Sequence, residues 1–160
     1  MIQRIQTVYM FVACAVCVIC LCSEVGRFMS EGAQVAGFSN FTFTPAENFS
    51  AASSAGPWAL SVLLIMTALL NLFAIMLFRK RLRQLRIVIF SSIFLVGYIL
   101  VYAVFAYVFY SKMQLAGAED LSFVPAVAAC NPIIALILNY LAIHAIRKDE
   151  ALVRSLDRIR

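Results

Sequence analysis

Four long apolar stretches fill most of this chain of 160 residues. They cover about residues 5–22, 58–78, 87–110 and 123–146, and none of them contains Asp, Glu, Lys or Arg. As a helix, each is long enough to cross the roughly 30 Å hydrocarbon core of a bilayer. The sequence therefore predicts an all-α integral membrane protein: a single domain, residues 1–160, built as a four-transmembrane-helix bundle.

Composition excludes a water-soluble fold of this size. Hydrophobic residues make up 64% of the chain and charged residues only 13%, with a mean hydropathy of +0.94. A small domain has too much surface relative to its volume to bury so many apolar side chains from water. The first stretch follows Arg4 as a signal peptide would, but residues 20–26 match a small-x-small cleavage site poorly, so we expect it to be retained.

The distribution of cations predicts the topology. The short loop at residues 79–86 contains five of them: Arg79, Lys80, Arg81, Arg83 and Arg86. With Arg4 and the cations of the tail at residues 147–160, they fall on one side of the predicted membrane, whereas Arg27 and Lys112 fall on the other. Short loops rich in Lys and Arg remain cytoplasmic, so both termini are expected inside, near anionic headgroups. A turn this tight leaves no room for a nucleic-acid-binding module.

The outer loop, residues 23–57, is unusually aromatic. Residues 40–44 alternate polar and aromatic side chains, and residues 35–38 are a candidate second arm of a small hairpin that turns near Ser39–Asn40. The rings of Phe38, Phe41 and Phe43 either cap the helix bundle or form a docking surface for another envelope protein. Both interpretations remain open at this point.

An aromatic stripe on the third span offers a second candidate docking surface. Tyr98 and Tyr102 lie one helical turn apart on this span. Their hydroxyl groups need partners at this depth, and Asn139 or Ser91–Ser92 are candidates. The stripe either packs within the bundle or receives a helix of another protein.

Amides within the spans form a candidate polar site. Asn131 and Pro132 are expected to bend the fourth span, while Asn71 and Asn139 lie within the second and fourth spans. These amides either hydrogen-bond between helices or line a substrate or ion site at a broken helix.

Other residue types point away from catalysis. Cys14, Cys17, Cys20 and Cys22 have cluster-like spacing, but one straight helix cannot wrap four thiolates around a metal. We interpret them as small residues that let helices approach closely, and we interpret His144 as an interfacial residue. No nucleophile and base are paired in a recognisable pattern, so the sequence predicts no enzyme activity, cofactor or metal.

The two ends of the chain carry complementary charge. The tail has helical spacing and forms an amphipathic helix that either prolongs the fourth span or lies on the headgroups. Arg4 lies at the cytoplasmic mouth of the first span, where it could meet Asp149, Glu150 and Asp157 in a cytoplasmic platform.

Both ends also carry a family resemblance. Residues 1–9, MIQRIQTVY, and residues 149–160, DEALVRSLDRIR, together with Asn131–Pro132, resemble the domain-of-unknown-function 4293 family of small four-span proteins of Bacteroidota. This resemblance implies a bacterial inner-membrane location but brings no activity. We therefore expect a non-enzymatic accessory or scaffold subunit of a larger envelope complex, in contact with other membrane subunits. The alternative is a small transporter or channel with a polar site at the fourth helix.

Overall fold

The computed structural model describes residues 3–30, 32–46, 56–77, 81–115, 117 and 120–157. Within them the chain forms a mostly helical protein with a small sheet at one end. Its α-helices are α1 (Gln3–Leu21), α2 (Trp58–Met76), α3 (Arg81–Leu115) and α4 (Asn131–Asp157). A short 3-10 helix, Val127–Cys130, leads directly into α4.

Three of the described helical segments are long and apolar enough to cross a membrane: Trp58–Met76, Leu82–Leu115 and Val127–Ala151. The fourth apolar helix, Ile5–Leu21, is shorter, at 17 residues. Large apolar side chains such as Phe11, Leu69 and Leu100 remain more than half exposed on the outer helix faces. A surface this apolar is typical of a membrane protein, in which lipid covers it.

A four-stranded antiparallel sheet corrects the all-α prediction. Its strands are β1 (Glu24–Ser30), β2 (Ala33–Ser39), β3 (Phe43–Pro45) and β4 (Ser122–Pro125), in the spatial order β3-β2-β1-β4. We predicted only the hairpin of β2 and β3, and it is confirmed: Phe38 pairs with Phe43 and Gly37 with Thr44. A hairpin by itself is only marginally stable. Here β1 pairs with β2 and β4 pairs with β1, which extends the hairpin to four strands.

The two additional strands escaped sequence reasoning for different reasons. In β1 a register shift between Glu24 and Gly26 interrupts the alternation of buried and exposed residues that would reveal a strand. β4 is a short apolar run, which periodicity cannot distinguish from the start of a helix. We had assigned residues 123–125 to the fourth span, and that boundary is wrong: the 3-10 helix begins only at Val127.

The sheet is held against the helices by aromatic rings; we call its four strands, with the turn at Asn40, the cap. Phe43 stacks on Phe109 of α3 with ring centroids 4.2 Å apart, and Phe38 stacks on Tyr102 at 5.6 Å. Phe28 of β1 packs edge-on against Phe43. These contacts join the cap and the adjoining halves of α1, α2 and α3 into one hydrophobic cluster.

One glycine is required where the chain enters α2. A Cβ atom on Gly56 would collide with the carbonyl oxygen of Phe41, which is part of the cap turn. Only glycine permits backbone to approach backbone so closely. The cap turn therefore lies directly against the start of α2.

At the opposite end, the helices extend further than the sequence predicted. The predicted loop 79–86 is partly helical, because α3 already begins at Arg81. The tail also continues α4 as far as Asp157, which decides between the two placements we had considered: the tail prolongs the fourth helix. The ends of α1 and α4 meet where the Gln6 side-chain amide donates to the Ala145 carbonyl at 3.1 Å.

Candidate functional site

A buried polar cluster links three of the helices; we call it the amide cluster. The Ser91 hydroxyl on α3 donates to Asn71 Oδ1 on α2 at 3.0 Å and accepts from Asn139 Nδ2 on α4 at 3.1 Å. All three side chains are fully buried. The cluster lies between the hydrophobic cluster beneath the cap and a second one that contains Met10, Val88 and Ile146.

The amide cluster brings together two of the predicted polar residues and leaves the others apart. Asn131 is the first residue of α4, two helical turns before Asn139, so it does not join them. Pro132 is the second residue of α4, which follows the 3-10 helix Val127–Cys130 directly, so the helical segment changes from 3-10 to α geometry at the position of the predicted bend. The bend at Pro132 stays a prediction, and Ser91 was the member of the amide cluster that we missed.

The amide cluster can exchange hydrogen bonds but holds no group that ionises. Asn71 Nδ2 and Asn139 Oδ1 have no hydrogen-bond partner within the described part of the chain. Asn71 Nδ2 is a donor and Asn139 Oδ1 is an acceptor, so the amide cluster keeps the capacity for two further hydrogen bonds. Its established bonds tie α2, α3 and α4 together, and each such interhelical bond is worth about 0.6–2 kcal/mol in a membrane.

A second buried polar junction joins the cap to the bundle. The Tyr98 hydroxyl on α3 donates to Asn40 Oδ1 at 2.7 Å, and Asn40 Nδ2 donates to the Cys20 carbonyl at the end of α1, also at 2.7 Å. Nearby, the Tyr102 hydroxyl donates to the Val25 carbonyl in β1 at 2.8 Å. We had expected Asn139 or Ser91–Ser92 as partners of these tyrosines, and that expectation is wrong.

Most of the predicted docking residues face inward. Phe38 and Tyr98 are buried, Phe43 is 5% exposed, and Tyr102 is half-buried against Phe38. Only Phe41 is well exposed, at 49%. Between the two interpretations of the aromatic loop, the geometry favours the cap, because its rings are used in contacts with α3.

The cysteines of α1 are packing residues with weak hydrogen bonds. Cys17 and Cys20 are buried, and Cys14 Sγ donates to the Ala68 carbonyl of α2 at 3.6 Å. Cys20 Sγ donates to the Ala128 carbonyl at 3.5 Å. Among the described residues, no group of three or more His, Cys, Asp or Glu side chains is arranged to hold a metal ion.

The predicted charged sites fall partly outside the described residues. Arg79 and Lys80 lie outside them, as do the side chains of Arg4, Arg81 and Asp157. Arg83 and Arg86 are exposed on α3, and His144 is exposed on α4. Asp149 is largely buried and Glu150 half-buried, on the stretch of α4 that follows the Gln6–Ala145 contact.

Helices with apolar outer faces, an internal amide cluster and a sheet cap at one end define a small helical membrane-type protein. The family model "Domain of unknown function (DUF4293)" matches residues 2–159, which is nearly the whole chain. The protein belongs to this family. No curated protein matches the chain.

Replacing Ser91 tests the amide cluster. We expect Ser91→Ala to lower the free energy of unfolding by about 1–2 kcal/mol, because it removes two buried hydrogen bonds and leaves both asparagines with one partner fewer. The matched control is Ser92→Ala, since within the described residues the Ser92 hydroxyl donates to the Val88 carbonyl of its own helix and does not link helices. Unfolding in mixed micelles, followed by circular dichroism, measures both. Equal effects of the two substitutions would contradict a linking role for Ser91.

Proposed function

We infer that this protein is a non-enzymatic inner-membrane subunit that supports a larger envelope complex. The observation that carries this proposal is the use of its distinctive residues inside the fold. The tyrosine hydroxyls bond to Asn40 and Val25, and the amide cluster links helices. Because these polar groups stabilise the fold, we propose that the protein acts through its outer surface.

The surfaces available to a partner are apolar and aromatic. Phe41 is 49% exposed on the cap turn, and Tyr107 is 72% exposed near the cap end of α3. Exposed aromatic side chains supply much of the binding energy in protein interfaces, because they bury a large area at low entropic cost. These two residues replace the buried Phe38, Phe43 and Tyr98 as the proposed points of contact with other subunits.

The proposed orientation places the cap outside and both termini in the cytoplasm. Support comes from the exposed cations Arg83 and Arg86, which lie at the end of the bundle away from the cap. The cap end carries few cations in the sequence, Arg27 and Lys112. Attraction to anionic headgroups would hold the cationic end at the cytoplasmic leaflet.

A transporter or channel is the second candidate. It is favoured by Asn71 Nδ2 and Asn139 Oδ1, a buried donor and acceptor without a partner among the described residues. A polar solute that passed the amide cluster could use both atoms. The three members are fully buried, so this function requires the helices to separate.

The orientation can be tested by labelling single cysteines. In a background with all five cysteines replaced by alanine, Ala33→Cys places a thiol on the exposed start of β2 and Arg83→Cys places one on exposed α3. A membrane-impermeant maleimide should label Ala33→Cys in spheroplasts and should label Arg83→Cys only after permeabilisation. The reverse pattern would contradict the proposed topology.

Photocrosslinking followed by mild-detergent purification tests the subunit role. A photoreactive phenylalanine at Phe41 or Tyr107 should form an adduct with one reproducible membrane protein, identified by mass spectrometry. The matched control is the same group at buried Phe43, where no adduct is expected. Recovery of the chain alone, or of self-adducts only, would overturn the subunit proposal and favour transport.

A further inference from the structure

An open groove of about 590 Å³ lies beside the cap, where β1 and β4 meet the start of the fourth helical segment. One wall carries Ser23, Glu24 and Arg27, and the other is formed by residues 124–128. Arg27 Nε donates to Glu24 Oε2 at 3.0 Å, and both side chains are about half exposed. The groove thus combines an accessible ion pair with an apolar wall.

The groove lies at the level where a membrane surface is expected. Cys14 on α1 donates to the Ala68 carbonyl on the neighbouring α2, so these two residues lie at the same depth. Ten residues closer to the cap, the first segment reaches Glu24 and the second reaches Trp58. Trp58 is 66% exposed, and tryptophan at the end of an apolar helix marks the membrane–water interface. Glu24 and Arg27 therefore lie at about the depth of lipid headgroups.

The charges of the groove select the chemistry of its ligand. The bond to Glu24 takes one of the five N–H donors of Arg27, and the remaining N–H groups can bind a phosphate group. Glu24 offers a carboxylate that repels a purely anionic ligand and attracts an ammonium group. Val127, 89% exposed, and Val124, 43% exposed, offer apolar surface for an acyl chain.

We propose that this groove binds the headgroup of a zwitterionic phospholipid whose phosphate ester carries a primary ammonium group, as in phosphatidylethanolamine. Arg27 binds the phosphate, Glu24 binds the ammonium group, and an acyl chain lies along Val127. A choline headgroup fits less well because it has no N–H to donate. The proposal gives a role to Arg27, which lies on the predicted outer side, where cations are few. It does not depend on the accessory-subunit role.

Native mass spectrometry of the delipidated full-length protein tests the proposal. With matched acyl chains, phosphatidylethanolamine should bind about tenfold more tightly than phosphatidylcholine or phosphatidylglycerol, the ratio that one charge-assisted hydrogen bond supplies. Arg27→Gln should reduce phosphatidylethanolamine binding about tenfold. The matched control Lys112→Gln removes an exposed cation at the cap end of α3, outside the groove, and should change nothing.

A reversal of preference separates lost binding from lost folding. Glu24→Lys places two cations in the groove and should make phosphatidylglycerol the preferred lipid, which misfolding cannot produce. Soluble phosphoethanolamine should compete poorly, because it lacks the chains that contact the apolar wall. Equal binding of all three lipids, unchanged binding to Arg27→Gln, or equal affinity for soluble phosphoethanolamine would each overturn the proposal.

Discussion

The hydrogen bond from Tyr98 to Asn40 is the contact on which the cap end of the molecule depends. It connects α3 to the cap turn, and the Asn40 side chain also donates to the Cys20 carbonyl near the end of α1. Each of these groups is buried, so breaking one bond leaves an unsatisfied polar atom in an apolar environment. Around this junction the rings of Phe38 and Phe43 stack on α3, and the cap becomes part of the hydrophobic core.

The amide cluster has the corresponding role deeper in the bundle. In hydrocarbon, helices gain little from burying apolar side chains against one another, because lipid is equally apolar. Ser91 supplies directional contacts to α2 and α4 that fix which helix faces meet. The two polar junctions thus position the helices at separate depths, while apolar packing fills the space between them.

Sequence reasoning predicted the apolar helices and the hairpin, because length, hydrophobicity and alternation are local properties. Its failures were at positions decided by distant contacts. Nothing near Asn40 in the sequence indicates a bond to a tyrosine 58 residues later. Nothing near Ser91 indicates hydrogen bonds to asparagines of two other helices. The start of the fourth span was misplaced for a related reason: residues 122–125 form a strand because they pair with β1, which is distant in the sequence.

The central claim is that the cap and the helices form one cooperative unit. The most direct test compares the unfolding of the helices in Phe43→Ala and Phe41→Ala, by circular dichroism in mixed micelles. Phe43 in β3 stacks on Phe109 at 4.2 Å, whereas Phe41, two residues earlier in the cap turn, is 49% exposed. We predict that Phe43→Ala destabilises the helices by about 3 kcal/mol and Phe41→Ala by less than about 1 kcal/mol. Helices that unfold identically in both variants would contradict the account.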